Sequence, residues 1–242
     1  TTPSDVDGLE YLTTDATTPG GQTQFNVADP FVAVLTYRNQ NYNDAVLLRQ
    51  DTILTSSQGY IQFNNYVDAA DNAVAGTSDY GLTVNTPNGN NVFNFEVGGD
   101  NQDPLTTPSD VDGLEYLTTD ATTAGGATRF FIPSSDCGNP SIRTQNDQHY
   151  FDDIVLLADT ALQSLYGNLI FEKTLGGGFQ LFVDSVSTEY HGDVAIGRLE
   201  ECEYLDPPGG GGGPPLVPPR PAPGETDLNG SSFKTTGDQI YR

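Results

Sequence analysis

Thr1 to Thr18 reads TTPSDVDGLEYLTTDATT, and Thr106 to Thr123 repeats it letter for letter, 105 positions later. An internal repeat outranks local signals, because it sets how many structural units the chain contains. Beyond Thr18 the copies drift: Pro19–Phe25 (PGGQTQF) faces Ala124–Phe130 (AGGATRF). Asp44–Leu48 (DAVLL) then matches Asp153–Leu157 (DIVLL) at an offset of 109. Asp51, Thr52 and Leu54 match Asp159, Thr160 and Leu162 at 108, and Gly59, Ile61 and Phe63 keep that spacing with Gly167, Leu169 and Phe171. Small loop insertions leave such a slowly moving offset. The repeat is about one hundred residues long, a usual domain size, and longer than a short solenoid unit. Two tandem homologous modules are therefore expected, over 1–104 and 105–206.

Inside each module the signals are those of strands. Leu9, Tyr11 and Thr13 alternate with Glu10 and Leu12, and Phe31–Tyr37 (FVAVLTY) reads as a buried strand. Residues 44–58 and 153–166 fit either a short helix or a strand and turn. Leu82–Val84 and Val92–Val97 flank Asn88-Gly89, which predicts a type I′ hairpin with Phe93, Phe95 and Val97 facing a core. Further strands are expected over 129–132, 168–173, 179–186 and 189–196. Short strands, frequent Gly and Pro and no long amphipathic helix predict an all-β fold of two β-sandwich modules, Ig-like or jelly-roll-like.

Composition changes at Pro207. Residues 207–224 hold eight of the sixteen prolines and five consecutive glycines, Gly209–Gly213, the mark of a linker. The tail, 225–242, carries Phe233, Ile240 and Tyr241, apolar anchors suited to a strand donated to a neighbouring copy.

Nine Lys plus Arg oppose 33 Asp plus Glu, a net charge of -24, and no basic run exists. Such a field repels nucleic acid and argues against a nucleic-acid partner. No apolar stretch of ~18 residues suits a transmembrane span. The chain has no Met, not even at position 1, as a processed leader would leave it. In a secreted protein Cys137 and Cys202 would pair, a closure of roughly 3–4 kcal/mol in the chain-entropy model.

Four groups could carry chemistry. Ser4-Asp5-Val6-Asp7-Gly8 and its twin Ser109–Gly113, with Asp110 and Asp112, begin as calcium loops do, although the later acidic ligands of an EF-hand are not in place. Calcium is the one cofactor expected. Glu189, His191 and Asp193 alternate and would share one strand face, and His149, near Asp147 and Asp152, could join it. There is no Gly-x-Ser-x-Gly elbow and no phosphate-binding glycine loop.

Tyr150–Leu157 (YFDDIVLL) resembles the aspartate hairpin of reverse transcriptases, which implies metal-bound carboxylates. The resemblance spans about ten residues, the matching Tyr42-Asn43-Asp44 lacks the pair, and the chain has no basic template channel, which excludes a polymerase. Asp152–Val155 is also similar to strands near the C-termini of type IV pilin-like proteins, and the Cys137/Cys202 spacing to their disulfide loop. Their N-terminal hydrophobic helix is not present in this sequence. The expectation is a non-enzymatic structural subunit of an extracellular filament, pilus-like, or of a cell-surface layer. Its partners would be copies of itself, joined head to tail. A calcium-dependent carbohydrate-binding or adhesion module and a secreted hydrolase using Glu189, His191 and Asp193 are the alternatives.

Overall fold

The structure, a computed structural model, describes residues 8–14, 21–27, 32–70, 80–99, 113–120, 125–132, 136–202, 226–228 and 233–235. Every regular element among them is a strand, and no helix is long and apolar enough to cross a membrane.

In the first repeat the strands are β1 (Leu12–Thr13), β2 (Gln22–Phe25), β3 (Val32–Thr36), β4 (Gln40–Tyr42), β5 (Ala45–Leu48) and β6 (Thr52–Ser56). Then follow β7 (Ile61–Phe63), β8 (Val67–Ala69), β9 (Leu82–Asn85) and β10 (Asn90–Phe93). The second repeat opens with β11 (Leu117–Thr119), β12 (Ala127–Phe130), β13 (Ile142–Thr144), β14 (Gln148–Tyr150), β15 (Asp153–Leu156) and β16 (Thr160–Ser164). It goes on with β17 (Asn168–Phe171), β18 (Leu175–Gly176), β19 (Gln180–Asp184), β20 (Ser187–Tyr190), β21 (Val194–Ile196) and β22 (Arg198–Glu201). Two strands of the tail, β23 (Thr226–Leu228) and β24 (Phe233–Thr235), complete the set.

Every ladder between these strands is parallel, and each strand pairs with the strand one full turn away, not with its chain neighbour. One sheet runs β1-β4-β7-β10-β12-β15-β18-β21-β24 and another β3-β6-β9-β11-β14-β17-β20-β23. The third face is made of β2-β5-β8 and β13-β16-β19-β22, joined through single bridges from Val97 to Val67 and to Ile142. The chain winds through three sheets in turn, a three-faced parallel β-helix. The two β-sandwich modules expected from the sequence are not formed. The ladders run unbroken from β10 to β12 and from β9 to β11, across the 104/105 boundary.

The reason for the difference is physical. Alternation with period two says only that one side of a strand is buried. It is the same for an antiparallel sandwich strand and for one rung of a parallel helix. The partner is encoded in the spacing between rungs, which here is 21 residues from Gln40 to Ile61 and from Gln148 to Leu169. Insertions hide it, stretching the step to 30 from Ile61 to Asn91 and to 37 from Asn91 to Thr128.

Individual strands follow from the same account. Residues 44–58 and 153–166 each form two strands, β5 with β6 and β15 with β16, separated by a corner. The expected hairpin at Asn88-Gly89 is such a corner: β9 lies in one sheet and β10 in another. Phe93 and Val97 are fully buried, but Phe95 is 42% exposed because the alternation ends where the chain turns. Phe31–Tyr37 is not buried on both sides. Its described part contains β3, the last strand of its sheet, with Val32 44% exposed.

The core is a column. Tyr42, Phe63, Phe93 and Phe130 stack face to face along one sheet, with centroids 5.2, 5.1 and 5.7 Å apart. Tyr150, Phe171 and Tyr190 form a second stack along the neighbouring sheet at 5.3 and 5.1 Å. Phe130 meets Tyr150 edge-on at 5.8 Å and 83°, as Phe25 meets Tyr42 at 5.8 Å and 81°. Offset stacked and edge-on rings each contribute roughly 0.5–1.5 kcal/mol beyond their burial.

Candidate functional site

Asp5, Asp7, Asp110 and Asp112, the expected calcium ligands, lie outside the described residues, as do Ile240 and Tyr241. So does the linker at 207–224. Among the described residues no group of three His, Cys, Asp or Glu side chains is arranged to hold a metal. Phe233 opens β24, which pairs with β21 of the same chain from Val194↔Phe233 to Ile196↔Thr235. Cys137 and Cys202 are joined in a disulfide with Cα atoms 5.5 Å apart, tying the excursion before β13 to the end of β22.

The histidines do converge. Pairing of β14, β17 and β20 puts His149, Ile170 and Glu189 in one register column. One residue past the ends of β17 and β20 stand Glu172 and His191. Glu172 links both imidazoles, with Oε1 at 2.7 Å from His149 Nε2 and Oε2 at 2.8 Å from His191 Nδ1. Glu189 Oε2 stands 3.4 Å from His191 Nε2. The His149 ring stacks on Phe151, centroids 3.8 Å apart. The hydrogen bond to Glu172 raises the His191 pKa above the ordinary imidazole value. The same bond leads the causes that lower Glu172 below the usual carboxylate range. Side chains 26% to 35% exposed make this a wet cluster that can pass a proton between two imidazoles.

Sequence reasoning missed Glu172. Its signal was the rung spacing: Phe171↔Tyr190 pair at 19 residues, so Glu172 and His191 follow as neighbours. Asp193, expected on the same strand face as Glu189 and His191, lies beyond the end of β20, and its carbonyl accepts the Leu175 N–H at 2.9 Å. Asp147 accepts the Asn168 N–H at 2.7 Å and supports the next turn.

Asp152 belongs to a second group, also unforeseen, inside the corner where β9 and β11 give way to β10 and β12. Both Asp120 and Asp152 are buried there, and Asp120 has a φ of 53°, a left-handed backbone that Asp tolerates better than most residues. Asp120 accepts the Thr86 N–H and the Asn91 side-chain amide, the latter at 2.8 Å. Asp152 accepts the hydroxyls of Thr119 at 2.7 Å and Thr128 at 2.9 Å. Burial, then the Asp152 charge, pushes Asp120 up to about 7, and burial raises Asp152 as well. Two like charges in one dry corner favour a shared proton. The first repeat has no such pair: Asn43 stands where the second has Asp152, and it begins an asparagine ladder through Asn64 and Asn94 at 2.8 and 2.7 Å.

The chain matches no protein-family model, and neither a curated protein nor a solved structure matches it.

Proposed function

We propose that this chain is a structural rod, a subunit of an extracellular filament or surface layer. The observation that carries the reading is the unbroken parallel ladder through both repeats. Nine strands in one sheet, at about 4.8 Å per strand, make a rod on the order of 40 Å long. A parallel β-helix grows by adding rungs, so one more coil of the same kind extends it without a new type of contact. The disulfide supports an oxidising compartment. Electron microscopy of the full chain at high protein concentration tests the reading. Rods whose lengths are multiples of one subunit are expected, and a protein that stays a single short particle under all conditions overturns it.

A second reading, a secreted hydrolase, is favoured by one observation: Glu172 and Glu189 both stand within 3.4 Å of His191, which suits acid–base work. Turnover of a polysaccharide panel that Glu172→Gln abolishes would establish it. No turnover by the unaltered chain would end it.

A further inference from the structure

The first coil of the helix is an open edge. β1 and β2 end their ladders, and β3 ends its own apart from the Leu9 bridge to Thr36. Leu9 bridges Thr36 at that edge yet is 54% exposed, and Tyr11 is 66% exposed. Val32 and Tyr37 add exposures of 44% and 42%. Elsewhere in the molecule the same residues are covered. Leu114, the twin of Leu9 in the identical stretch, bridges Thr144 in the same way and is fully buried.

What covers the twin is visible. Tyr80 accepts the Glu115 N–H at 3.1 Å, and the Leu82 N–H reaches the Tyr116 carbonyl at 3.0 Å. β9 pairs with β11, β10 with β12, and Val97 with Ile142. The Tyr116 ring lies so close over Gly81 that a Cβ there would sit 2.1 Å from it. A parallel coil, 80–97, is therefore the natural lid of this sequence. At the other end β22, β23 and β24 each end their ladders as well.

We propose that the open edge made by Leu9–Thr13, β2 and the start of β3 is the docking edge for the last coil, β22 to β24, of a second copy of this chain. The proposal rests on the structural-rod reading and names its joint. Unpaired N–H and C=O groups at a strand edge seek such partners, and the internal junction shows that this edge sequence accepts a parallel coil. The contact is heterologous, so it propagates instead of closing. The rotation between copies need not match one face, because the repeat already stacks after a fractional turn. The net charge of -24 opposes association, so the joint strengthens with salt.

The test compares the unaltered chain with Leu9→Asp/Tyr11→Asp by sedimentation and electron microscopy in high salt. Carbodiimide coupling then reports the contact, since Lys234, in β24, is one of only two lysines. Expected are rods from the unaltered chain, single particles with unchanged melting from the variant, and an intermolecular amide between Lys234 and a first-coil carboxylate such as Glu10. Rods that persist in the variant, or whose amides map elsewhere, overturn the joint and leave the rod reading standing. If the unaltered chain forms no rods, both fall. Capture of the first coil by a different protein, with no self-association, also overturns the joint.

Discussion

Residues 9–13 and 114–118 have one sequence and the same bridge-and-strand course, although Gly113 before the second copy has a φ of 130° that Gly8 does not share, and their surroundings differ. In both, the leucine bridges a threonine of the rung above, and the following strand pairs with a Gln-x-Tyr rung: Leu12 with Gln40, Leu117 with Gln148. Next along the chain the match persists to fine detail. Tyr42 donates to Gln40 at 2.7 Å and Tyr150 to Gln148 at 2.8 Å, while Ser56 and Ser164 each donate at 2.7 Å to the carbonyls of Arg38 and Asn146. What separates the copies is the coil beneath. One leucine is half in water and the other is fully enclosed. Burial in this fold is a property of the neighbouring rung.

The copies also occupy different faces. β4 and β7 lie in the nine-stranded sheet, but their counterparts β14 and β17 lie in the eight-stranded one. From β1 to β11 there are eleven places, counting the Val97 bridge as one, and at three per turn this is three and two-thirds turns. The repeat therefore returns rotated by one face. That is why the aromatic column crosses edge-on from Phe130 to Tyr150. A three-faced helix tolerates the rotation because each face offers the same ladder of backbone groups and the same inward column.

The largest expected effect tests that equivalence. Phe63→Ala and Phe171→Ala each remove a ring stacked on both sides, and each should cost about 3–5 kcal/mol in denaturant unfolding. Costs that differ strongly between the two would show that the repeats are not energetically alike. Next comes the identical stretch itself. Leu114→Ala should cost about 2–5 kcal/mol, and Leu9→Ala under about 0.5 kcal/mol in the unassembled chain. Equal losses would mean that the first coil is covered.

The corner carboxylates sharpen the comparison through pH. In the folded chain Asp120 holds its proton to about 7; unfolded, it loses it in the ordinary carboxylate range. Between those limits the native state binds more protons, so this contribution is full at low pH and is lost as pH rises towards 7. Asp152→Asn copies the first repeat's Asn43 and removes the charge that raises Asp120. The stability difference between variant and unaltered chain, followed from pH 4 to 8 by urea unfolding, should tilt in favour of the variant as pH rises. A flat difference would show that the pair is not coupled.

The smallest effect belongs to the histidine cluster, which the first repeat lacks. Glu172→Gln removes the negative charge of the acceptor whose hydrogen bond raises His191, so the His191 titration seen by NMR should move to lower pH. Stability should change by less than about 1 kcal/mol, since the groups are partly solvated. The loss appears below the raised His191 pKa, where the imidazolium would have been held. An unmoved titration would mean that Glu189, not Glu172, governs His191.

Much was legible in the residues themselves. The duplication, its drifting offset and the all-strand character are properties of letter order and of β-branched and aromatic content. So are the inward places of Ile61, Phe63 and Phe93, because side chains alternate along any strand. The cysteines could be paired from composition alone, since only two exist. Tertiary structure decided the rest. Whether a strand's partner is its chain neighbour or lies one turn away is a choice between hydrogen-bond ladders, and the backbone groups that make them are the same at every residue. Parallel pairing at 21 residues could have been read from Tyr42 and Phe63 or Asn43 and Asn64, but insertions before β9, β11 and β13 blurred it. Glu172 joined two histidines, and Asp120 met Asp152, only because rungs stack. Leu9 and Leu114 mark the limit most plainly: one sequence, one local conformation, and opposite burial, set by whether a coil lies beneath.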